Sequence, residues 1–266
     1  MTDAPKNAVI LAAGCGSRLR PLTDLRPKSL VEVNGTSILH NALRNLEAVG
    51  VEEVTIVVGY RKDAIQYACG SHYGELIIKY VESTVFDRTG SAYSLWLARD
   101  ALLSGDAFLL EGDVFFEEDA LRHLMVCRET DVAAVVPFDY SMEGSAVLLS
   151  QNGFISGFRL KQTAANLVAD GPKLFKTMNL LRLSAPTLKA TIVPTLDDII
   201  AAGARQTYTE ELLGYLIERR GLQLAAARCD GLSWYEIDNA DDLEIAERIF
   251  KDRTKAYTAR PDLQTR

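Results

Sequence analysis

Short apolar runs alternate with segments of helical spacing through the first half of the chain, and this order constrains the fold more than any other feature. Residues 8–12 and 54–58 form apolar runs of strand length, and residues 38–49 between them place apolar side chains at helical intervals. The pattern continues with strands predicted at 76–81, 107–110 and 132–136 and helices at 62–68, 91–103 and 118–128. Such an order predicts a mostly parallel sheet with helices on both faces.

The alternation loosens after residue 136. Asn152 and Gly153 lie between apolar runs, which predicts a hairpin turn. The remaining elements are predicted as strands at 177–183, 222–228 and 234–237 and helices at 196–202, 210–219 and 240–250. We therefore predict one α/β domain over residues 1–250, with a Rossmann-like, doubly wound, mixed but mostly parallel sheet and a lid-like β insertion at about 138–180. A polar connection at 164–173 and a charged tail at 251–266 are expected to be mobile.

Composition excludes several classes of function. The formal net charge is −7 and the basic residues are scattered, whereas binding to a nucleic acid backbone needs a local excess of Lys and Arg. No apolar run reaches the roughly 18 residues of a membrane span, and the first residues lack the order of a secretory signal, so we expect a cytoplasmic protein with no membrane partner. Four dispersed cysteines predict reduced thiols rather than disulfides or a zinc site.

Two glycines follow the first predicted strand directly, where the chain must turn sharply. Gly14 and Gly16 permit close approach of a ligand, and the exposed amides of such a loop bind the phosphates of a nucleotide. Arg18 adds a forked, permanently charged donor that suits phosphate oxygens. The candidate nucleotide-binding residues of this loop are Leu11, Ala12, Ala13, Gly14, Gly16, Ser17 and Arg18. The glycines alone are equally compatible with an ordinary strand-to-helix turn, and the spacing matches neither a Walker loop nor a dinucleotide fingerprint.

Lys28 follows Pro27 on a segment that the proline ring stiffens. A lysine held in this way places a positive charge at a defined position, where it stabilises the negative charge that develops on a reacting phosphate. We therefore predict that Lys28 and Arg18 are catalytic residues.

Two aspartates follow predicted strands at the edge where open α/β sheets bind their ligands. Asp113 and Asp238 are candidate ligands of Mg²⁺, because this ion prefers one or two carboxylates together with phosphate oxygens and water. Either aspartate can instead cap the next helix, and Asn239 or Asp241 can fill that role beside Asp238. Glu111 competes with Asp113, although alternation along the strand can point it elsewhere.

A segment of small residues joins the strand at 76–81 to the next helix. Glu82, Thr89, Gly90 and Ser91 are candidates for binding the base, since small residues let a flat ring lie against the backbone. Helix capping by Thr89 or Ser91 is the alternative.

Aromatic and acidic residues mark a candidate site for a ligand with an ammonium group. Tyr93, Tyr140 and Glu143 are candidates, because aromatic rings and carboxylates bind an ammonium group. Tyr140 and Glu143 lie in a loop, where residues of these types are often simply exposed to solvent.

The run LAAGCGSRLRPLTDLRPKSLVEVNG at residues 11–35 resembles the signature of nucleotidyltransferases that condense a nucleoside triphosphate with a sugar 1-phosphate or phosphocholine. This resemblance implies the nucleotide-diphospho-sugar transferase fold, contact of Lys28 with the reacting phosphates, and Mg²⁺ held by Asp113 and Asp238. The segments WYEID and TGSAYSL are similar to those of phosphocholine and 2-aminoethylphosphonate cytidylyltransferases. The segment that begins at Lys176 also resembles this branch, which makes Lys176 and Asn179 candidates for binding the acceptor phosphate or phosphonate.

The resemblance implies an enzyme that transfers CMP from CTP to a small phosphorylated or phosphonylated amine and releases pyrophosphate. A sugar-1-phosphate nucleotidyltransferase that uses UTP, dTTP or GTP is the alternative. A catalytically silent nucleotide sensor is a third hypothesis, but it predicts loss of Lys28, Asp113 or Asp238, and all three are present. The sequence leaves the acceptor and the oligomeric state open, a homodimer included.

Overall fold

A computed structural model describes residues 4–167, 171 and 173–251 of the protein. The strands are β1 Asn7–Ala12, β2 Glu32–Val33, β3 Thr36–Ser37, β4 Glu53–Val58, β5 His72–Tyr73, β6 Leu76–Glu82, β7 Ala107–Glu111, β8 Val114–Phe116, β9 Val132–Pro137, β10 Gly144–Leu149, β11 Ile155–Gln162, β12 Leu174–Leu183, β13 Ala225–Arg228 and β14 Trp234–Glu236. The helices are α1 Ile38–Ala48, α2 Lys62–Cys69, α3 Ser91–Leu97, α4 Arg99–Leu102, α5 Asp119–Val126, α6 Ala185–Thr187, α7 Val193–Ala201, α8 Thr209–Arg220 and α9 Ala240–Ile249.

The main sheet has the strand order β11-β10-β12-β7-β1-β4-β6-β5, with β9 pairing with both β12 and β13. Strand β1 is parallel to β4 and to β7, and β4 is parallel to β6. Strand β12 runs antiparallel to β7 and β10. The mixed, mostly parallel sheet predicted from the alternating pattern is therefore confirmed.

Side chains on the two faces of the sheet enter two separate cores. Along β1, Ala8 and Ile10 point into a core that also contains residues of α1, α2 and α5. The intervening Val9 and Leu11 point into a second core, which contains residues of α3, α7 and α8. This alternation is the period of two expected for a strand that is covered on both faces. Helix α9 contributes to a smaller third core, in which the rings of Phe115 and Phe250 lie 4.7 Å apart.

The region predicted as a small β insertion continues the main sheet in antiparallel fashion through β10, β11 and β12. The predicted hairpin turn lies between β10 and β11. Gly153 has a φ of 80° and donates its N–H to the carbonyl of Ser150 at 3.0 Å, whereas Asn152 does not take a positive φ. Of the connection predicted to be mobile, residues 168–170 and 172 lie outside the described residues, as does the tail from residue 252.

Strand β12 and helix α7 each begin three residues earlier than predicted, at Leu174 and Val193, and two further element boundaries were wrong. The helix expected over 91–103 is divided into α3 and α4 at Ala98, whose ψ of 12° interrupts the helical backbone. The strand expected from residue 222 begins only at Ala225, because Leu222 donates its N–H to Leu216 at the end of α8. Within the described ranges, no helix combines the length and the apolar character needed to cross a membrane.

Candidate active site

A cleft of about 370 Å³ opens at the carboxyl ends of β1 and β7. The chain leaves β1 toward β4 on one side and reaches β7 on the other, so the cleft lies where the direction of winding reverses, the usual ligand site of open α/β sheets. Its lining from these two strand ends and the glycine loop consists of Leu11, Ala12, Ala13, Gly14, Cys15, Gly16, Ser17, Arg18, Glu111, Gly112 and Asp113. The structure thus brings the predicted phosphate loop and one predicted metal ligand into one cavity.

Only the second glycine of the loop requires its special backbone conformation. Gly16 has a φ of 58°, and a Cβ atom at this position would lie 2.7 Å from Cβ of Lys28. Its carbonyl accepts a hydrogen bond from Oγ1 of Thr23 at 2.8 Å. Gly14 takes no positive φ and has no atom near the position of a Cβ. Gly16 therefore sets the packing of the loop against Lys28, which the spacing of the glycines did not indicate.

Lys28 lies between the two predicted metal ligands. Its Nζ is 2.8 Å from Oδ2 of Asp113 and 2.6 Å from Oδ1 of Asp238, and Arg18 contacts the same oxygen of Asp238 at 2.9 Å. Burial by itself lowers the pKa of Lys28, but the two carboxylates more than offset it, so the pKa is raised. Burial likewise acts to raise the pKa of Asp238, but Lys28 and Arg18 lower it below its ordinary value. Lys28 and Asp238 are therefore charged at neutral pH.

The pairing of β8 with β14 explains how residues so distant in the chain meet. Glu236 lies opposite Val114, and Ile237 donates its N–H to the carbonyl of Asp113 at 2.9 Å. Asp113 directly precedes β8 and Asp238 lies two residues after the last residue of β14. The antiparallel pairing of these strands therefore brings both aspartates to the same end of the two-stranded sheet.

Neither aspartate caps a helix. The cap of α9 is Asn239, whose Oδ1 accepts a hydrogen bond from the N–H of Asp242 at 3.0 Å. Asp113 precedes β8, and the N-cap of the next helix, α5, is Glu118. The capping alternatives left open by the sequence are thus excluded for Asp113 and Asp238, whose side chains face the cleft.

The two carboxylates fit a magnesium ion. Oδ1 of Asp113 is buried and has no hydrogen-bond partner among the described residues, which leaves a carboxylate oxygen available as a ligand. The described ranges contain no cluster of three or more His, Cys, Asp or Glu side chains arranged for a metal. A metal held here would therefore complete its shell with phosphate oxygens and water, as Mg²⁺ prefers.

The segment predicted to bind the base divides between cleft and surface. Thr89, Gly90 and Ser91 line the cleft, whereas Glu82 is exposed and pairs with Lys62 at 2.6 Å outside it. A Cβ atom on Gly90 would lie 2.2 Å from the carbonyl oxygen of Thr207, so this glycine is required by packing within the chain rather than by a ligand.

The capping alternative does not hold for Thr89 or Ser91 either. Oγ1 of Thr89 donates to the carbonyl of Val85, and Oγ of Ser91 accepts a hydrogen bond from the N–H of Thr209 at 2.8 Å. The N-cap of α3 is Gly90, without a side-chain hydrogen bond.

None of the five predicted acceptor-binding residues is among those that line the cleft. Tyr140 is 73% exposed, Glu143 is also exposed, and Tyr93 packs against Trp96 with its ring 5.9 Å from the guanidinium of Arg205. Their role in binding an acceptor therefore stays a prediction.

Lys176 and Asn179 form a buried network with Glu236, an acid to which the sequence assigns no role. Nζ of Lys176 lies 2.7 Å from Oε2 of Glu236, and Nδ2 of Asn179 lies 3.3 Å from Oε1 of the same residue. Asn179 has a φ of 55° within a register shift of β12, and its Oδ1 accepts a hydrogen bond from Thr177. Burial raises the pKa of Glu236 despite the nearby Lys176. Both candidates are thus already partnered within the chain.

Further residues of the cleft were missed by sequence reasoning. They are Cys15, Ser29, Phe86, Ser94, Gly112 and Tyr208, together with Glu111, which was considered only as a competitor of Asp113. Oε1 of Glu111 accepts a hydrogen bond from Thr209 at 3.1 Å. Burial, then Asp113 and Glu210, raise its pKa well above its ordinary value. Tyr208 and Phe86 carried no local signal, because nothing in a single sequence shows which aromatic side chains a loop turns toward a cavity.

The sequence and the fold are similar to those of characterised nucleotidyltransferases. The chain is 33% identical over 246 residues to the CMP-5′-(3-aminopropyl)phosphonate synthase of Streptomyces rubellomurinus, a match that covers 92% of this chain and 39% of that protein. It is 35% identical over 113 residues to the 2-aminoethylphosphonate cytidylyltransferase of Lancefieldella rimae, which covers 42% of this chain and 45% of the relative. The matches therefore span less than half the length of these two relatives.

The fold is that of the CTP:phosphocholine cytidylyltransferase of Streptococcus pneumoniae. The two structures superpose with a TM-score of 0.75 at 23% identity, over 92% of this chain and 98% of the other. The family model of the MobA-like NTP transferase domain matches residues 8–171, which include the glycine loop, Lys28 and Asp113. The chain therefore belongs to the family of proteins with a MobA-like NTP transferase domain.

Proposed function

We propose that the protein is a magnesium-dependent cytidylyltransferase that transfers CMP from CTP to a small aminoalkyl phosphate or phosphonate and releases pyrophosphate. One observation carries the proposal. The ammonium group of Lys28 contacts both strand-end carboxylates, Asp113 and Asp238, in the same cleft as the glycine loop. Positive and negative groups are thereby concentrated where the phosphates of a nucleotide and its metal ion would bind.

The reaction needs alignment and charge stabilisation more than proton transfer. An anionic oxygen of the acceptor phosphate or phosphonate attacks the α-phosphorus of CTP, a new P–O bond forms, and the bond between the α-phosphorus and the bridging oxygen breaks. Pyrophosphate leaves with the electron pair of that bond. Since the nucleophile is already an anion, no general base is required, and Lys28 and Arg18 stabilise the charge that develops on the phosphates.

Magnesium, when bound by Asp113 and Asp238, supplies further neutralisation of phosphate charge. Residues of the chain bind the rest of the nucleotide. The backbone of the glycine loop binds the triphosphate, and Thr89 and Ser91, the candidate base-binding residues, line the wall of the cleft.

An amine-bearing acceptor is supported by the activities of the relatives and by a carboxyl group in the cleft. The relatives described above act on aminoalkylphosphonates or phosphocholine. In this chain the carboxyl group of Glu111 lines the cleft with Glu210 beside it, and a carboxyl group is a hydrogen-bond partner for an ammonium group.

The proposal is tested by measuring pyrophosphate release with CTP, UTP, dTTP and GTP, each combined with phosphocholine, 2-aminoethylphosphonate, 3-aminopropylphosphonate and glucose 1-phosphate. We expect activity with CTP and at least one of the three amine acceptors, and dependence on added Mg²⁺. Activity confined to glucose 1-phosphate would establish the sugar-1-phosphate alternative. No release in any combination would refute both.

Two lysine variants separate a role in catalysis from general effects of lost charge. Lys28→Met is expected to lower turnover about 10²- to 10³-fold, the usual cost of removing one group that stabilises transition-state charge. Lys79→Met is the matched control, because Lys79 is an exposed lysine on β6 that is also paired with a carboxylate, Glu53 at 2.6 Å. We expect Lys79→Met to retain the activity of the unmodified protein.

A further inference from the structure

The hydroxyl of Ser29 is a buried polar group without a partner in the wall of the cleft. Ser29 lies in the short 3-10 turn Lys28–Leu30 and is 3% exposed. Its Oγ makes no hydrogen bond with any residue that the structure describes. The residue nevertheless lines the same cavity as Gly16, Ser17 and Lys28.

The local structure does not need this hydroxyl. The turn is closed by backbone hydrogen bonds from Leu30 to the carbonyl of Pro27 and from Val31 to the carbonyl of Lys28, both at 2.9 Å. An alanine would occupy the same position without leaving a polar atom unpaired. Because buried polar atoms are nearly always hydrogen-bonded and an unpaired one costs stability, an unpaired hydroxyl at a ligand cleft calls for a partner that the free chain does not supply.

We propose that Ser29 is a nucleotide-binding residue whose hydroxyl donates a hydrogen bond to a phosphate oxygen of the bound nucleotide. A triphosphate held by the glycine loop and Lys28 lies beside the turn that carries Ser29. A serine hydroxyl reaches a new acceptor by rotation about its χ1 bond alone, with no movement of the backbone. This assignment rests on the proposed function, since it requires a nucleotide in the cleft.

The chain contains a matched control for the experiment. Ser83 is 1% exposed and its Oγ also has no partner among the described residues, but it does not line the cleft. It directly follows β6, where its backbone N–H donates to the carbonyl of Val58 at 2.8 Å. Ser29→Ala and Ser83→Ala therefore remove the same chemical group from equally buried sites, one in the cleft and one outside it.

Binding is measured by isothermal titration calorimetry with CTP and, separately, with inorganic pyrophosphate, in the presence of Mg²⁺. We expect Ser29→Ala to raise the Kd of both ligands about tenfold, the loss typical of one hydrogen bond to a charged group, and Ser83→Ala to change neither. The melting temperature of both variants should equal or exceed that of the unmodified protein, because each loses an unpaired buried hydroxyl.

The possible results separate this assignment from the proposed function. If the unmodified protein binds CTP but Ser29→Ala binds it equally well, the assignment is wrong and the function stands. If affinity for CTP falls, affinity for pyrophosphate does not, and affinity for cytidine, measured in the same way, falls as much as that for CTP, the hydroxyl contacts the nucleoside and the assignment to phosphate is wrong. A lower melting temperature together with equal losses in both serine variants would show a structural role instead. If the unmodified protein binds neither ligand, both proposals fail.

Discussion

Removing the charge of Lys28 is expected to make the free protein bind a divalent cation more tightly. In the absence of nucleotide, the ammonium group contacts Asp113 at 2.8 Å and Asp238 at 2.6 Å, so it occupies the carboxylates that a metal ion would use. Its pKa is raised, since the two carboxylates more than offset the effect of burial. The group is therefore protonated at neutral pH, and a metal must displace it.

The size of the effect follows from the two contacts. A hydrogen bond to a charged group contributes about 1.5–3 kcal/mol, so the pair is worth roughly 3–6 kcal/mol. Part of this is recovered when the displaced ammonium group is hydrated, and Arg18 still holds Asp238 at 2.9 Å in the variant. A net gain of about 1.4–3 kcal/mol remains, which corresponds to metal binding roughly 10- to 100-fold tighter.

The assay is a titration of nucleotide-free protein with Mn²⁺, followed by the electron paramagnetic resonance signal of the free ion. Lys28→Gln is compared with the unmodified protein and with Lys79→Gln, in which an exposed lysine is removed. The melting temperature measured with and without Mn²⁺ gives a second readout, because a ligand that binds only the folded state raises it. Equal or weaker Mn²⁺ binding by a folded Lys28→Gln variant would refute the argument that the ammonium group occupies the metal position.

Three further predictions concern stability. Gly16→Ala is expected to lower the free energy of unfolding by about 1–3 kcal/mol, because it forces a left-handed backbone and a contact with Lys28, while Gly14→Ala is nearly neutral in the same urea titration. Glu236→Gln leaves the ammonium group of Lys176, 5% exposed, without its counter-ion and should lower the free energy of unfolding by about 3–5 kcal/mol. Adding Lys176→Met to this variant should recover part of the loss, and effects of the two substitutions that simply add would contradict the pairing. Because the pKa of Asp238 is lowered in the folded protein, its carboxylate stabilises the fold fully above the unfolded pKa of about 4, and this contribution is lost as pH falls through the folded pKa. In urea titrations at a series of acid pH values, Asp238→Asn should therefore reduce the loss of unfolding free energy with falling pH.

The sheet and most helices were predictable because their signals are local. A strand covered on both faces, such as β1, is apolar at every position, and an amphipathic helix such as α1 repeats its apolar residues at a fixed interval. That the glycine loop, Lys28 and the two strand-end aspartates lie at one edge of the sheet was predictable for the same reason, since each stands at a fixed distance from an element that the pattern locates. Their roles in binding and catalysis stay predictions. The boundary errors at Ala98 and Ala225 arose where backbone geometry or a tertiary hydrogen bond ended an element.

The parts of the site that the sequence did not reveal depend on contacts between distant segments. Lys176 and Glu236 are separated by 60 positions, and the acid reaches the lysine through the position of β14, which pairs with β8 and contacts β12. Gly90 was interpreted as space for a base, but the backbone of Thr207 fills that space. Tyr140 was selected for its chemistry, yet its loop leaves the ring exposed. Residue type predicts what a side chain is able to bind, whereas its position relative to the cleft is set by tertiary structure.

The charges of the free cleft explain how one set of residues serves both the resting and the proposed ligand-bound state. Lys28 and Arg18 neutralise Asp113 and Asp238 in the free chain, so the cluster is balanced without a ligand. A nucleoside triphosphate with its magnesium ion carries a net negative charge of its own and offers both a cation for the aspartates and anions for the basic residues. On the proposed function, binding exchanges each internal ion pair for one with the ligand, and no residue has to gain or lose a proton.

Turnover should therefore be nearly independent of the ionisation of Lys28 and Asp238 between about pH 6 and 9, because the pKa of the lysine is raised above its ordinary value and that of the aspartate is lowered. The contrary result is a steep pH dependence of turnover in that range that disappears in Lys28→Met or Asp238→Asn. It would show that proton transfer by this cluster is part of the reaction.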